Sequence, residues 1–146
     1  MLRNRLWPLG LLRGPGDFLL FTEINVVAAG VPALMRLPLP SAARILERTS
    51  RRRTRRGFSP ERLAQLMDAA PAFAHPVVRG GCLTRGITLY WLLRRRGVNV
   101  ELQFGVDRRG AADGHCWLVR DGEPYLEKVD PRPRFAETIR LPLAAA

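Results

Sequence analysis

Nine consecutive residues, Val98 to Val106, alternate without a break: Val98, Val100, Leu102, Phe104 and Val106 against Asn99, Glu101, Gln103 and Gly105. Period two is the period of a β-strand, so the segment predicts a half-buried strand. The chain before it differs in kind. Cys82 to Arg96 is rich in helix formers with an apolar middle, Ile87 to Leu93, opened by Gly80-Gly81 and closed by Arg94-Arg95-Arg96-Gly97. This predicts a buried central helix with Cys82 in its first turn. After the strand, His115 to Arg120 and Glu123 to Lys128 flank Asp121-Gly122, the strongest short hairpin signal a sequence offers. Helices come first and an antiparallel sheet follows, which is an α+β order.

Three helices are predicted upstream. Asp17 heads a run of Phe18, Leu19, Leu20, Phe21, Ile24, Val27 and Ala28 with helical recurrence. Ser41 caps a second segment through Ile45 and Leu46. Ser59 caps a third, with Pro60 at its first position and Leu63, Leu66 and Met67 inward, ending near Ala70-Pro71. Residues 1–70 then form a helical N-terminal region and residues 71–146 the core, expected as one compact unit. No internal repeat is present.

At 146 residues, folding buries roughly two-thirds of the unfolded chain's surface, enough for a real core. Lys and Arg total 24 against 13 Asp and Glu, and the single lysine is Lys128. So cationic a surface favours anionic partners and says nothing of fold. Its densest part, Arg51 to Arg56, reads as a solvated loop or helix end. The aromatics Tyr90, Trp91, Trp117 and Tyr125 read as core, with no basic face of interleaved aromatics for specific nucleic-acid binding. The two cysteines, Cys82 and Cys116, form neither a CxxC pair nor a disulfide ladder, so a reducing cytoplasm is the expected location. The apolar stretch Ile24 to Met35 is 12 residues long and holds Gly30 and Pro32. It falls short of the roughly 20 residues of a membrane helix, so no transmembrane span is expected. Basic residues precede an apolar patch at Met1 to Trp7, but Pro8 and Gly10 break it, and no signal peptide is expected.

One thiol, one imidazole and one carboxylate follow in an order that suits nucleophilic catalysis: Cys82, His115 and Glu127. A helix N-terminus favours a thiolate because its free N–H groups point at the anion. His115 is the candidate base, and Glu127 the acid that would fix the imidazole's tautomer. An isolated cysteine is more often a small core residue; the Gly-Gly lead-in and the downstream histidine tip the balance to function. Register constrains the set. A strict two-residue turn at Asp121-Gly122 would set Glu127 opposite Cys116, on the face away from His115. A three-residue or bulged hairpin is therefore predicted, with Pro124 favouring an irregular ladder. Asp130, in Val129-Asp130-Pro131, is the fallback acid, although an Asp before proline equally forms turns.

Other uses of these residues are weaker. Cys82, Cys116, His75 and His115 have no zinc-ligand spacing, and His115 and Cys116 point to opposite strand faces, so no metal and no cofactor is expected. His75 reads as a surface histidine and Cys116 as core-facing. A second oxyanion donor is not evident: Gln65, the nearest upstream glutamine, belongs to a separate helix.

Cys82-Leu83-Thr84-Arg85-Gly86 through Leu92-Leu93-Arg94-Arg95-Arg96-Gly97-Val98, then Phe104-Gly105-Val106 and His115-Cys116-Trp117-Leu118-Val119-Arg120-Asp121-Gly122, resemble the transglutaminase-like cysteine peptidase domain of lasso-peptide maturation proteins. The resemblance covers roughly Pro71 to Pro142. It implies a transglutaminase/papain-like fold, and a Cys-His-acid triad that cuts the leader from a ribosomally made precursor peptide, with Cys82 as nucleophile and His115 as base. Glu127 stands where that family commonly has Asp, and His-Cys-Trp replaces the more usual His-Ala-Trp. The resemblance also implies two partners, a separate leader-recognition protein and an ATP-dependent cyclase. Two other functions compete: a catalytically silent peptide-binding or scaffold module of the same fold, and a basic nucleic-acid adaptor.

Overall fold

The computed structural model describes residues 10–54, 57–75, 77–78, 80–110 and 113–143. The expectation at Met1 to Trp7 lies outside them, as do Arg55 and Arg56. Four helices, α1 (Pro15–Leu34), α2 (Leu39–Ser50), α3 (Pro60–Ala74) and α4 (Cys82–Arg95), precede four strands. The strands are β1 (Glu101–Asp107), β2 (Gly114–Arg120), β3 (Glu123–Tyr125) and β4 (Phe135–Leu141), and the fold is α+β.

α1 buries Leu20, Phe21, Ile24, Ala28 and Val31, a stripe at helical spacing. Its 20 residues make it longer than the Ile24 to Met35 stretch, and long and apolar enough to cross a membrane by length and composition alone. The sequence expectation stopped short because Asp17, Glu23, Gly30 and Pro32 looked like interruptions. Instead the helix runs through them. Asp17 pairs with Arg62 and Glu23 with Arg96, so both acids are neutralised by neighbouring elements. α2 starts at Leu39, capped by Pro38 rather than Ser41. α3 starts as predicted, with Ser59 Oγ accepting the Arg62 N–H at 3.2 Å. It continues about a turn past its predicted end, with Pro71 inside it.

α4 closes at Gly97, whose φ of 80° lets the chain reverse. Gly97 N–H then bonds the Arg94 carbonyl and Val98 N–H the Leu93 carbonyl, both at 3.0 Å. This closure takes up the start of the predicted strand, so β1 pairs only from Glu101.

The sheet order is β3-β2-β1-β4 with every pair antiparallel. β4 has no counterpart in the sequence expectations. A bulge between Phe104 and Gly105 shifts its register on β1, and burial along it (Phe135, then Leu141, with Glu137 and Thr138 both exposed) breaks the alternation that marks a strand. One hydrophobic cluster runs from Leu20 in α1 through α2, α3 and α4 to Leu102, Cys116, Leu118 and Leu141 of the sheet. A smaller one, Trp117, Val119 and Phe135, covers the sheet's other face. Successive β2 residues therefore serve opposite faces, as pleating requires.

The hairpin corrects one prediction. Arg120 pairs with Glu123 directly, leaving a two-residue turn at Asp121 (φ 53°) and Gly122 (φ 84°). Both dihedrals are positive, as in the type I′ turn that matches strand twist. The irregularity lies further on, at Leu126, whose φ is 59°. Pairing therefore stops at Tyr125, and the strict register that would have turned Glu127 away no longer governs it.

Candidate active site

Cys82 is the first residue of α4. Gly81, at φ 142°, caps the helix without a side-chain hydrogen bond, so the first-turn N–H groups remain open toward the cysteine. Gly86, one turn on and on the same face, lets the helix lie close on β2: a Cβ there would come within 2.9 Å of Cys116 Sγ and 3.0 Å of Leu102 Cδ1. This close approach puts the start of α4 against the start of β2.

β3 pairs with β2 only from Leu118 to Arg120, so the edge of β2 near His115 has no strand beside it. There a cleft of about 380 Å³ opens, lined by Asp68, Cys82, Arg85, His115, Glu127, Lys128 and Val129. The three predicted residues thus meet in one cleft. Larger or similar hollows lie elsewhere, among them one between the ends of α2 and α4 lined by Arg51, Arg53 and Arg94; none holds the thiol.

The Cys82 thiol is pulled from 9.0 to about 5. The largest cause is a hydrogen bond from the Cys116 thiol; burial opposes it, and the Cys116 N–H, a His115 hydrogen bond and the His115 charge add to the lowering. Cys82 is therefore a thiolate at neutral pH. Cys116 moves the other way, its thiol pushed far up by that hydrogen bond, by burial and by the adjacent thiolate. Its expected core-facing position holds, at 3% exposure, yet it also acts on the Cys82 thiol.

His115 lies on the other face of β2, its ring stacked on Phe135 at 5.1 Å and on Trp117 at 6.1 Å between centroids. These rings hold the imidazole at the strand's open edge. Gly105 makes room beneath: a Cβ there would meet the Ala136 carbonyl oxygen at 2.7 Å and the Trp117 ring at 2.8 Å.

Glu127 is near enough to His115 for their charges to interact, but its bonded partner is Arg85, with Nη1 donating to Oε1 at 3.0 Å. Burial, the largest cause, pushes its carboxyl up, against the Arg85 and His115 charges and the Leu118 N–H. Arg85 also donates to the Leu126 carbonyl at 2.7 Å and to Asp68 at 2.8 Å. It thereby holds the left-handed Leu126, a conformation that costs a leucine about 1 kcal/mol or more, and so aims Glu127. Sequence reasoning missed Arg85, although its place three residues after Cys82 puts it on the same helix face.

The fallback acid lies apart. Asp130 Oδ1 accepts the Arg132 N–H at 2.9 Å and its guanidinium closes on the same carboxylate, the turn-forming role open to an Asp before proline. His75 is exposed at the end of α3. Gln65 is engaged by Arg62 and does not line the cleft. Among the described residues, no group of three or more His, Cys, Asp or Glu has the arrangement of a metal site.

A thiolate at a helix N-terminus, an imidazole on the facing strand edge and a carboxylate behind it form an arrangement able to attack and release an acyl group. A family model, the transglutaminase-like superfamily, matches residues 26–140. The match begins inside α1 and takes in α2 and α3 as well as the sheet. No curated protein and no solved structure matches the chain. The fold, the order of its elements and the match over most of its length make the chain a member of the transglutaminase-like superfamily.

Proposed function

We propose that the protein is a cysteine peptidase that removes the leader from a lasso-type precursor peptide. The observation that carries the chemistry is the place of Cys82, at the open first turn of α4 in the cleft that His115 and Glu127 share, where its thiol is pulled down to about 5. The substrate class rests on the sequence resemblance around Cys82 and His115. Cys82 attacks the scissile carbonyl, His115 gives a proton to the departing amine, and water releases the thioester with His115 taking its proton. The Cys82 N–H, free at the helix start, faces the oxyanion. Glu127 steadies the imidazolium by charge. A leader-recognition protein would deliver the precursor, and an ATP-dependent cyclase would take the released core.

The test is cleavage of leader-bearing precursor peptides read by mass spectrometry, with and without a leader-recognition protein. Cys82→Ala abolishes cleavage, and His115→Ala lowers its rate by about 10²–10⁴-fold, the usual share of general acid–base catalysis. Cleavage that survives Cys82→Ala would overturn the proposal. One observation favours a second reading, a silent peptide-binding module: the Glu127 carboxylate is bonded to Arg85 and not to His115. In that case wild type binds precursor without cutting it.

A further inference from the structure

The chain has two cysteines, and the fold brings them together although 33 residues separate them in sequence. Cys116 Sγ sits in the notch left by Gly86, on the α4 face that also carries Cys82 one turn earlier. The two thiols are close enough to act on each other's protonation, Cys116 lowering the Cys82 thiol and Cys82 raising that of Cys116. Neither takes part in a disulfide. Peptide hydrolysis needs one nucleophilic thiol, so the second, buried thiol has no covalent part in it.

We propose that Cys82 and Cys116 form an oxidative modification site, in which a peroxide oxidises Cys82 and Cys116 captures the product as an intrachain disulfide that silences the cleft reversibly. The proposal depends on where the two sulfurs lie and not on which substrate Cys82 serves. Access decides the order of events. Cys82 is half-buried and lines the cleft, whereas Cys116 is 3% exposed, so a dissolved oxidant reaches Cys82 first.

In the first step the Cys82 thiolate attacks one peroxide oxygen. An S–O bond forms, the O–O bond breaks, sulfur loses two electrons, and the remaining oxygen leaves as hydroxide or alkoxide. In the second step the Cys116 sulfur attacks the Cys82 sulfenic sulfur. The S–S bond forms, the S–O bond breaks, and water departs carrying the Cys116 proton. Two external thiols, becoming one disulfide, restore both cysteines.

The local electrostatics favour the second step once the first has happened. The Cys116 proton is held first by its interaction with the Cys82 sulfur, then by burial, then by that sulfur's negative charge. Oxidation to a neutral sulfenic acid removes the two contributions that come from Cys82 and leaves burial, so the resolving thiol is easier to deprotonate once there is something to resolve. The sulfurs must then close to about 2.05 Å. Cys82 stands in a first turn with no side-chain cap, the part of a helix that yields most readily.

The experiment treats the full chain with hydrogen peroxide, blocks free thiols, digests without reductant and maps the peptides by mass spectrometry. A Cys82–Cys116 linked pair, in monomeric protein and fully reversed by dithiothreitol, is the expected result. Cys82 driven to sulfinic or sulfonic acid beside a free Cys116, or a Cys82–Cys82 bridge between chains, would overturn the proposal. Cys116→Ser adds an independent arm: Cys82 then accumulates as a dimedone-reactive sulfenic acid and proceeds to irreversible oxidation faster than in wild type. Equal rates in the two proteins would also overturn it. The wild-type arm stands whether or not the variant folds.

Discussion

At Cys82, hydrogen bonds from two residues work against burial. The Cys116 thiol contributes most and the His115 imidazole less, so His115→Ala should move the Cys82 titration upward, and Cys116→Ala should move it further. Linkage has a definite sign here. The Cys82 pKa falls on folding from 9.0 to about 5, so between those values the unfolded chain binds the extra proton. The stability Cys82 contributes is then complete above the unfolded value and is lost as pH falls toward the folded one. Glu127 runs the opposite way: burial raises its carboxyl, and the folded state is weakened as pH rises through its range. At this scale the sequence was legible for Cys82 and His115, since a Gly-Gly lead-in and a strand start can be read directly. It was not legible for Arg85, whose three partners come from α3 and the segment after β3, nor for the left-handed Leu126, because nothing in a leucine announces a positive φ.

Between elements, two glycines set the distances that form the site. Gly86 sets α4 on β2 and Gly105 sets β4 and Trp117 on β1. Their substitution by alanine differs in outcome for a physical reason. At Gly86 the new methyl meets side-chain atoms, Cys116 Sγ and Leu102 Cδ1, which can shift, and alanine gains about 1 kcal/mol in helix propensity. At Gly105 it meets a backbone carbonyl at 2.7 Å, which cannot shift without opening the β1–β4 ladder. Urea unfolding should show Gly86→Ala losing about 1–2 kcal/mol and Gly105→Ala losing more, about 3 kcal/mol or above; the reverse order would mean that the sheet bulge is not what fixes Trp117 and His115. The elements themselves were largely legible, because α4, β1 and the hairpin follow simple periods. β4 was not, since an extra residue in it, Thr138 between the paired Glu137 and Ile139, breaks the alternation. The hairpin expectation erred by looking for irregularity at the turn, when the chain places it one residue past the strand.

Across the whole molecule, α4 is the axis. Ile87 to Leu93, apart from Trp91, are buried, covered by α1, α2 and α3 on one side and the sheet on the other, so the helix that carries Cys82 is held by the N-terminal helices. Residues 71–146 alone would lose α1, α2 and most of α3, leaving the face of α4 turned away from the sheet open to water. Keeping a large buried apolar side chain out of water is worth about 1.5–3 kcal/mol, so a few re-exposed together match the roughly 5–15 kcal/mol that holds a whole domain. That fragment should show no cooperative thermal transition by circular dichroism, while the full chain does; a cooperative transition in the fragment would contradict the shared core. Some of the positive charge serves this packing, since Arg62 pairs with Asp17 and Arg96 with Glu23 on α1. Many arginines stand in ion pairs, including Arg62, Arg85, Arg96 and Arg134, and the described part of the basic run, Arg51 to Arg53, is exposed. Charge was readable from composition, as was the order of helices before strands, whereas the sharing of one core by α1 and the sheet depends on long-range packing that no local pattern encodes.

The most direct measurement of the central claim, an activated Cys82 in a cleft with His115, is the rate of iodoacetamide alkylation at Cys82 against pH, resolved by mass spectrometry. Wild type should titrate at about pH 5, with His115→Ala displaced upward and Cys116→Ala displaced further. A wild-type midpoint at the ordinary thiol value of about 8.5, unmoved by either substitution, would contradict it.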